Sequence, residues 1–127
     1  MKVFVVSDLE GVSGVTKPGQ TTGGAPMFEE SRRLYTEEIN ACVRGASAAG
    51  ATEIVVMDCH GAGEEWDFNS LIPELLDESC DFVVQVEYKN TRAPDALRHR
   101  QGVERVSDRM IVSRADTWWD AWRQFFF

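Results

Sequence analysis

Glu53-Ile54-Val55-Val56-Met57, running directly into Asp58-Cys59-His60-Gly61, is the stretch whose reading decides the fold. Five residues, mostly apolar and partly β-branched, read as a strand. The preceding pattern is different. From Phe28, the residues Leu34, Tyr35, Ile39, Cys42, Val43, Ala46 and Ala49 recur at steps of three and four, with Glu and Arg between them and Gly50 as a stop. That periodicity predicts one amphipathic helix over 28–49. Further upstream, Val3-Phe4-Val5-Val6 is a short apolar run in the pattern of a strand buried on both faces, read as a central one. Strand, long helix and strand in this order form a right-handed βαβ unit in a parallel sheet, so the class is α/β.

The remaining elements follow from the same signals. Gly11, Gly14, Pro18, Gly19, Gly23, Gly24 and Pro26 punctuate the segment after the first strand and predict a long, mobile loop. A short helix is expected over Ser70 to Leu76 and a third strand over Asp81 to Val86. Beyond these, the sequence suggests a basic helix over Ala93 to Val106, a strand over Arg109 to Ser113 and an aromatic-faced helix over Asp116 to Phe127.

Composition narrows the function classes. The chain has 127 residues, enough for one core, and no apolar run reaches the ~18 residues of a membrane span. After Met1 and Lys2 a short apolar run meets Asp8 before a secretory signal could form, so a cytoplasmic location is expected. Cys42, Cys59 and Cys80 are widely spaced and odd in number, which suits reduced thiols. The net charge of −8 disfavours nucleic acid as a partner. That charge is uneven: residues 1–85 hold five Lys/Arg against fifteen Asp/Glu, whereas residues 86–127 hold eight against six and end in an aromatic cluster. The two segments are therefore read separately.

Two acidic positions follow the first strand. Asp8 and Glu10 stand two residues apart, so in extended chain both carboxylates point the same way at the strand end where parallel sheets bind ligands. Close like charges call for a cation, although either residue alone could cap a turn. Asp58, Cys59, His60 and Gly61 lie at the corresponding end of the second strand. An imidazole beside hard carboxylate oxygens suits Zn²⁺ or a related divalent ion, and a shared acid can bridge a two-metal site. A strand-end histidine can also be a simple hydrogen-bonded core residue. Alternation turns Cys59 away from its neighbours, as a packed thiol.

Ser7-Asp8-Leu9-Glu10-Gly11-Val12-Ser13-Gly14, the helix around Thr36-Glu37-Glu38-Ile39-Asn40, and Asp58-Cys59-His60 followed by Leu71-Ile72-Pro73 together resemble the DppA-like D-aminopeptidases, a family of zinc metallopeptidases. The resemblance covers about residues 1–85. It implies a three-layer α/β fold with helices on both faces of the sheet, incomplete here relative to the family, and a pair of zinc ions. It also implies hydrolysis of the N-terminal residue of short D-amino-acid peptides within a homo-oligomer. Asp8, Glu10 and His60 would be zinc ligands. The family's second half contributes a further His and Glu to the metals and another His to catalysis. Residues 86–127 match none of its later motifs, and the catalytic residues are not identified. His99 lies between Arg98 and Arg100, whose charges oppose a metal ion, and reads as a solvated helix-face residue. Two competing readings remain. Val5 to Gly11 also looks like the start of a haloacid-dehalogenase-like, Mg²⁺-dependent phosphatase, and the chain could be a non-catalytic metal-binding fragment.

Overall fold

The computed structural model describes residues 1–85, 103–105 and 109–113. Its elements are β1 (Lys2–Ser7), α1 (Phe28–Ala48), β2 (Glu53–Asp58), β3 (Asp81–Gln85), β4 (Val103–Arg105) and β5 (Met110–Ser113), with 3₁₀ turns at Pro18–Gln20, Glu64–Trp66 and Pro73–Leu75. The strands form one sheet in the order β1-β2-β3-β5-β4, parallel throughout except for the antiparallel β4. The α/β class and the βαβ unit are therefore present. Register matters for function: Ser7 pairs with Asp58, so the carboxyl ends of β1 and β2 finish side by side.

The helix packs through the residues whose spacing selects one face. Tyr35, Ile39 and Val43 are buried at successive four-residue steps, whereas their alternatives Leu34 and Cys42 are exposed. They meet Ile54 and Val56 of β2, with Val3, Val5 and Phe82 beside them. Alternation sends Val55, Met57 and Val83 to the opposite face, where Phe4 and Cys59 join them, as expected for a packed Cys59 thiol. Glu29 and Glu30 occupy the first helical turn, where the helix dipole favours acids. Gly50, at φ +87°, reverses the chain after the last turn, where its N–H bonds the Ser47 carbonyl.

A second stripe of α1 is polar. Arg32, Thr36 and Asn40, again four residues apart, bind the backbone of the segment that leads into β3. Arg32 Nε donates to the Ser70 carbonyl at 3.1 Å, and Thr36 Oγ1 accepts from Ile72 N–H at 3.1 Å. Asn40 donates to the Leu75 carbonyl and accepts from Asp77 N–H, both at 2.8 Å. This explains why the helix expected over Ser70 to Leu76 shrinks to one turn at Pro73–Leu75. Backbone groups already bonded to side chains of α1 are unavailable for an internal helical ladder.

Two other expectations change. β1, read as central, stands at the edge of the described sheet and pairs only with β2 there, and Val6 is 44% exposed. Val3, Phe4 and Val5 are only half-buried, so the apolar run of β1 marks neither full burial of its faces nor a neighbour on each side among the described residues. Residues 103–105, placed in a basic helix by their sequence, form strand β4 against β5, where pairing with an existing strand edge overrides local propensity. The loop after β1 is tied internally by Gln20, which is buried, accepts from Thr16 N–H at 2.9 Å and donates to the Gly14 carbonyl at 3.0 Å. The strand expected near 109–113 is β5. The rest of the expected 93–106 helix, the 116–127 helix and His99 lie outside the described residues, among which α1 is the only α-helix. Among the described residues no helix is long and apolar enough to cross a membrane.

Replacing Ile39, 5% exposed in this interface, with Asp should cost on the order of 4 kcal/mol, because it puts an unpaired charge where an apolar group packs. Ala41→Asp, on the exposed side of the same helix, should cost less than about 1 kcal/mol. Urea denaturation of both variants checks the orientation of α1, and equal losses would contradict it.

Candidate metal centre

The end of β1 is anchored by what lies between its two acids. Leu9 is fully buried, and this holds Asp8 and Glu10, on either side of it, at the exposed surface. Asp8 Oδ1 accepts from Leu9 N–H at 2.8 Å. Gly11, at φ +95°, then turns the chain away, a conformation open to glycine and strained for other residues.

The end of β2 is organised around a buried carboxylate. Asp58 is 3% exposed and accepts four hydrogen bonds. Its Oδ1 takes the Tyr35 hydroxyl and His60 N–H, both at 3.0 Å, and its Oδ2 takes Ser70 N–H at 2.6 Å and Leu71 N–H at 2.9 Å. Burial raises the Asp58 pKa above the usual carboxylate value, and these donors pull against it. Tyr35 reaches on to Ser7 Oγ at 2.7 Å, which joins α1 to the end of β1. Burial and the Asp58 charge raise the Tyr35 pKa, so its hydroxyl stays a neutral donor.

His60 is thereby fixed with its ring 1% exposed. Nδ1 lies 2.6 Å from Ser70 Oγ, and the ring sits 6.3 Å from that of Phe28. Phe28 in turn meets Trp66 edge-on at 5.3 Å, and the Arg32 guanidinium covers the Trp66 face. Trp66 packs so closely over Gly23 that a Cβ there would overlap its side chain. Phe68 takes a left-handed φ of +57° while its N–H holds the His60 carbonyl at 2.9 Å.

The two strand ends meet as expected. Single donor atoms of Asp8, Glu10 and His60 all lie within 4.8 Å of one another, with His60 Nε2 3.5 Å from Glu10 Oε1. Among the described residues His60 Nε2 is buried and has no hydrogen-bond partner. The acids respond to each other. Asp8 is raised above the usual carboxylate range by partial burial and by a hydrogen bond shared with Glu10. Burial also pushes Glu10 up, but hydrogen bonds from Asp8 and its own backbone, with the nearby His60, outweigh it and lower the value. Such a pair shares a proton where a cation could replace it.

An orphaned imidazole nitrogen facing two carboxylates is a donor set that fits zinc, which takes N and O ligands. Asp58, close in sequence, takes no part in this cluster, because both its oxygens are committed to donors. Sequence reasoning missed Ser70 and assigned Tyr35 only to the apolar face. The signal for Tyr35 was a hydroxyl placed on an otherwise apolar stripe. Nothing local marks Ser70, which reaches His60 from ten residues away.

An opening beside the cluster, about 290 Å³, is lined by Asp8, Glu10, Val6, Tyr35, Glu38 and Ile39 among others. It gives the acids a route to solvent, while the imidazole stays covered.

Known proteins match the part of the chain that builds this centre. The profile of the family described as D-aminopeptidase matches residues 1–83. A curated D-aminopeptidase from Bacillus subtilis (strain 168) is 32% identical over 83 residues, which are 65% of this chain and 28% of that protein. A solved structure, described as the Zn-dependent D-aminopeptidase DppA from Bacillus subtilis, a self-compartmentalizing protease, superposes with a TM-score of 0.57 at 34% identity, over the same shares of the two chains. The chain thus spans somewhat over a quarter of the length of these relatives. With the matched region holding β1, α1, β2 and all three clustered donors, the chain belongs to the D-aminopeptidase family of peptidases.

Proposed function

We propose that this chain carries the metal-binding part of a zinc-dependent aminopeptidase that removes N-terminal residues from short D-amino-acid peptides, with Asp8, Glu10 and His60 as metal ligands. The observation that carries the reading is His60 Nε2, buried without a partner and directed at the paired carboxylates of Asp8 and Glu10. A bound zinc ion supplies carbonyl polarisation and a water acidified to near neutrality, so hydrolysis needs no Ser or Cys nucleophile. The residues of this chain do the rest. Asp8 and Glu10 close the ion from the solvent side, and His60 closes it from the protein side. The surrounding acidity, Glu38 included, favours a substrate with a free ammonium group.

Three donors make up about one zinc ion's usual protein share. A second ion and the groups that move protons during hydrolysis would come from elsewhere. We assign residues 1–85 to the metallopeptidase domain and residues 86–127 to a divergent segment, of which residues 103–105 and 110–113 add strands β4 and β5 to the same sheet. Self-compartmentalisation in the solved relative supports a homo-oligomer here too, and the cytoplasm is the proposed location. The Mg²⁺-dependent phosphatase reading loses ground to His60, since magnesium sites are built from oxygen.

Loaded with zinc and desalted, the protein should retain about one ion per chain, and His60→Ala should lose it. Excess magnesium should not displace the zinc. Release of free D-alanine from D-Ala-D-Ala should be slow or absent for this chain alone. Preference for magnesium over zinc would overturn the metal assignment, and robust turnover with two zinc ions per chain would overturn the ligand count.

A further inference from the structure

We propose that Ser70 is a positioning residue for His60, its hydroxyl holding the imidazole proton on Nδ1 so that the Nε2 lone pair faces Asp8 and Glu10. The inference rests on the metal reading above for its purpose, but its geometry stands independently. Ser70 Oγ lies 2.6 Å from His60 Nδ1, and Ser70 is fully buried, so solvent does not compete for that contact.

Both ends of the contact hang on one carboxylate. Asp58 Oδ2 fixes the Ser70 backbone N–H at 2.6 Å, and Asp58 Oδ1 fixes the His60 backbone N–H at 3.0 Å. Arg32 Nε holds the Ser70 carbonyl at 3.1 Å from the other side. Phe28 and the surrounding loop cover the ring, so the imidazole has little freedom to turn over and exchange its two nitrogens.

The proton's place follows from the other nitrogen. Among the described residues Nε2 is buried and has no hydrogen-bond partner. An Nε2–H would find Glu10 Oε1 only at 3.5 Å, beyond a good hydrogen bond, whereas an Nδ1–H meets Ser70 Oγ at 2.6 Å, so Nδ1 is the better site for the proton and Nε2 for the lone pair. A hydroxyl accepts such a proton without adding charge. A metal-ligating histidine commonly gives its second ring N–H to a fixed acceptor, which sets tautomer and orientation, and loss of that acceptor typically weakens metal affinity by about 10–100-fold.

The test compares the full chain with its Ser70→Ala and Ser70→Thr variants by two readouts. The first is the ¹⁵N spectrum of the His60 ring in metal-free protein, at a pH where the ring is neutral. The wild type and Ser70→Thr should carry the proton on Nδ1, and Ser70→Ala should shift toward the Nε2-protonated form or a mixture. The second is zinc affinity by competition with a chromophoric chelator. Ser70→Ala should bind about 10–100-fold more weakly, and Ser70→Thr, which keeps the hydroxyl, should recover most of that loss. Urea denaturation shows whether the variants are folded. If Ser70→Ala is not, the wild-type spectrum decides alone.

A wild-type ring protonated on Nε2 would overturn the proposal, as would equal zinc affinities in wild type and a folded Ser70→Ala. If the wild type holds its proton on Nδ1 but takes up no zinc, the tautomer assignment survives and the metal reading falls.

Discussion

A single buried carboxylate holds the functional end of this fold together. Asp58 ends β2, and its four donors come from α1, from the histidine two residues on and from the segment that returns toward β3. Burying a carboxylate without partners would cost far more than a small domain can spare, so the partners must be in place when the chain folds. That requirement couples the pieces. Tyr35 must sit on the inner face of α1, the 58–71 loop must close back on itself, and Ser7 must end level with Asp58 in the sheet. The placement of His60 is a by-product of satisfying Asp58.

The helix serves two surfaces at once, and this determines how little further secondary structure the region needs. Its apolar stripe of Tyr35, Ile39 and Val43 buries against the sheet, as a hydrophobic period of three and four dictates. Its polar stripe of Arg32, Thr36 and Asn40 substitutes for the backbone partners that residues 70–77 would otherwise find in a helix or strand. An extended strap bonded in this way occupies less width than a helix would. It lets Ser70 and Leu71 approach the end of β2 closely enough to donate to Asp58.

The parts legible in the sequence are those set by local pattern. Strands β1, β2, β3 and β5, the limits of α1, and the convergence of Asp8, Glu10 and His60 follow from short apolar runs, one long period and strand-end placement. The misread parts depend on neighbours distant in sequence. Val3 to Val6 carries no mark of whether a strand lies on both sides of it, and residues 103–105 become a strand only because β5 offers an edge. Ser70 to Leu76 has helical character but loses its backbone donors and acceptors to α1. Sequence shows Asp58 only as a carboxylate beside a histidine, and does not show the donors already waiting for it.

The two sides of the candidate centre are consequently held with unequal firmness, and the inequality has a chemical meaning. His60 is enclosed by Phe28, Ser70 and the Asp58 network, with a ring 1% exposed, whereas the Glu10 side chain is 60% exposed. For the proposed metal, rigid placement of the nitrogen would fix one coordination direction before any ion arrives, so that part of the ordering cost would be met during folding. The carboxylates face the opposite demand. Two carboxylates this close are poor company without a proton or a cation between them, and a hydrogen bond between them raises Asp8 and lowers Glu10. In the proposed centre these exposed carboxylates would close on an ion entering from solvent and supply the negative charge that draws it in. The preset imidazole nitrogen would favour a borderline-soft ion over a hard one, with the two oxygens providing the attraction. This division of roles needs both strand ends at one edge, the arrangement that the Ser7–Asp58 register provides.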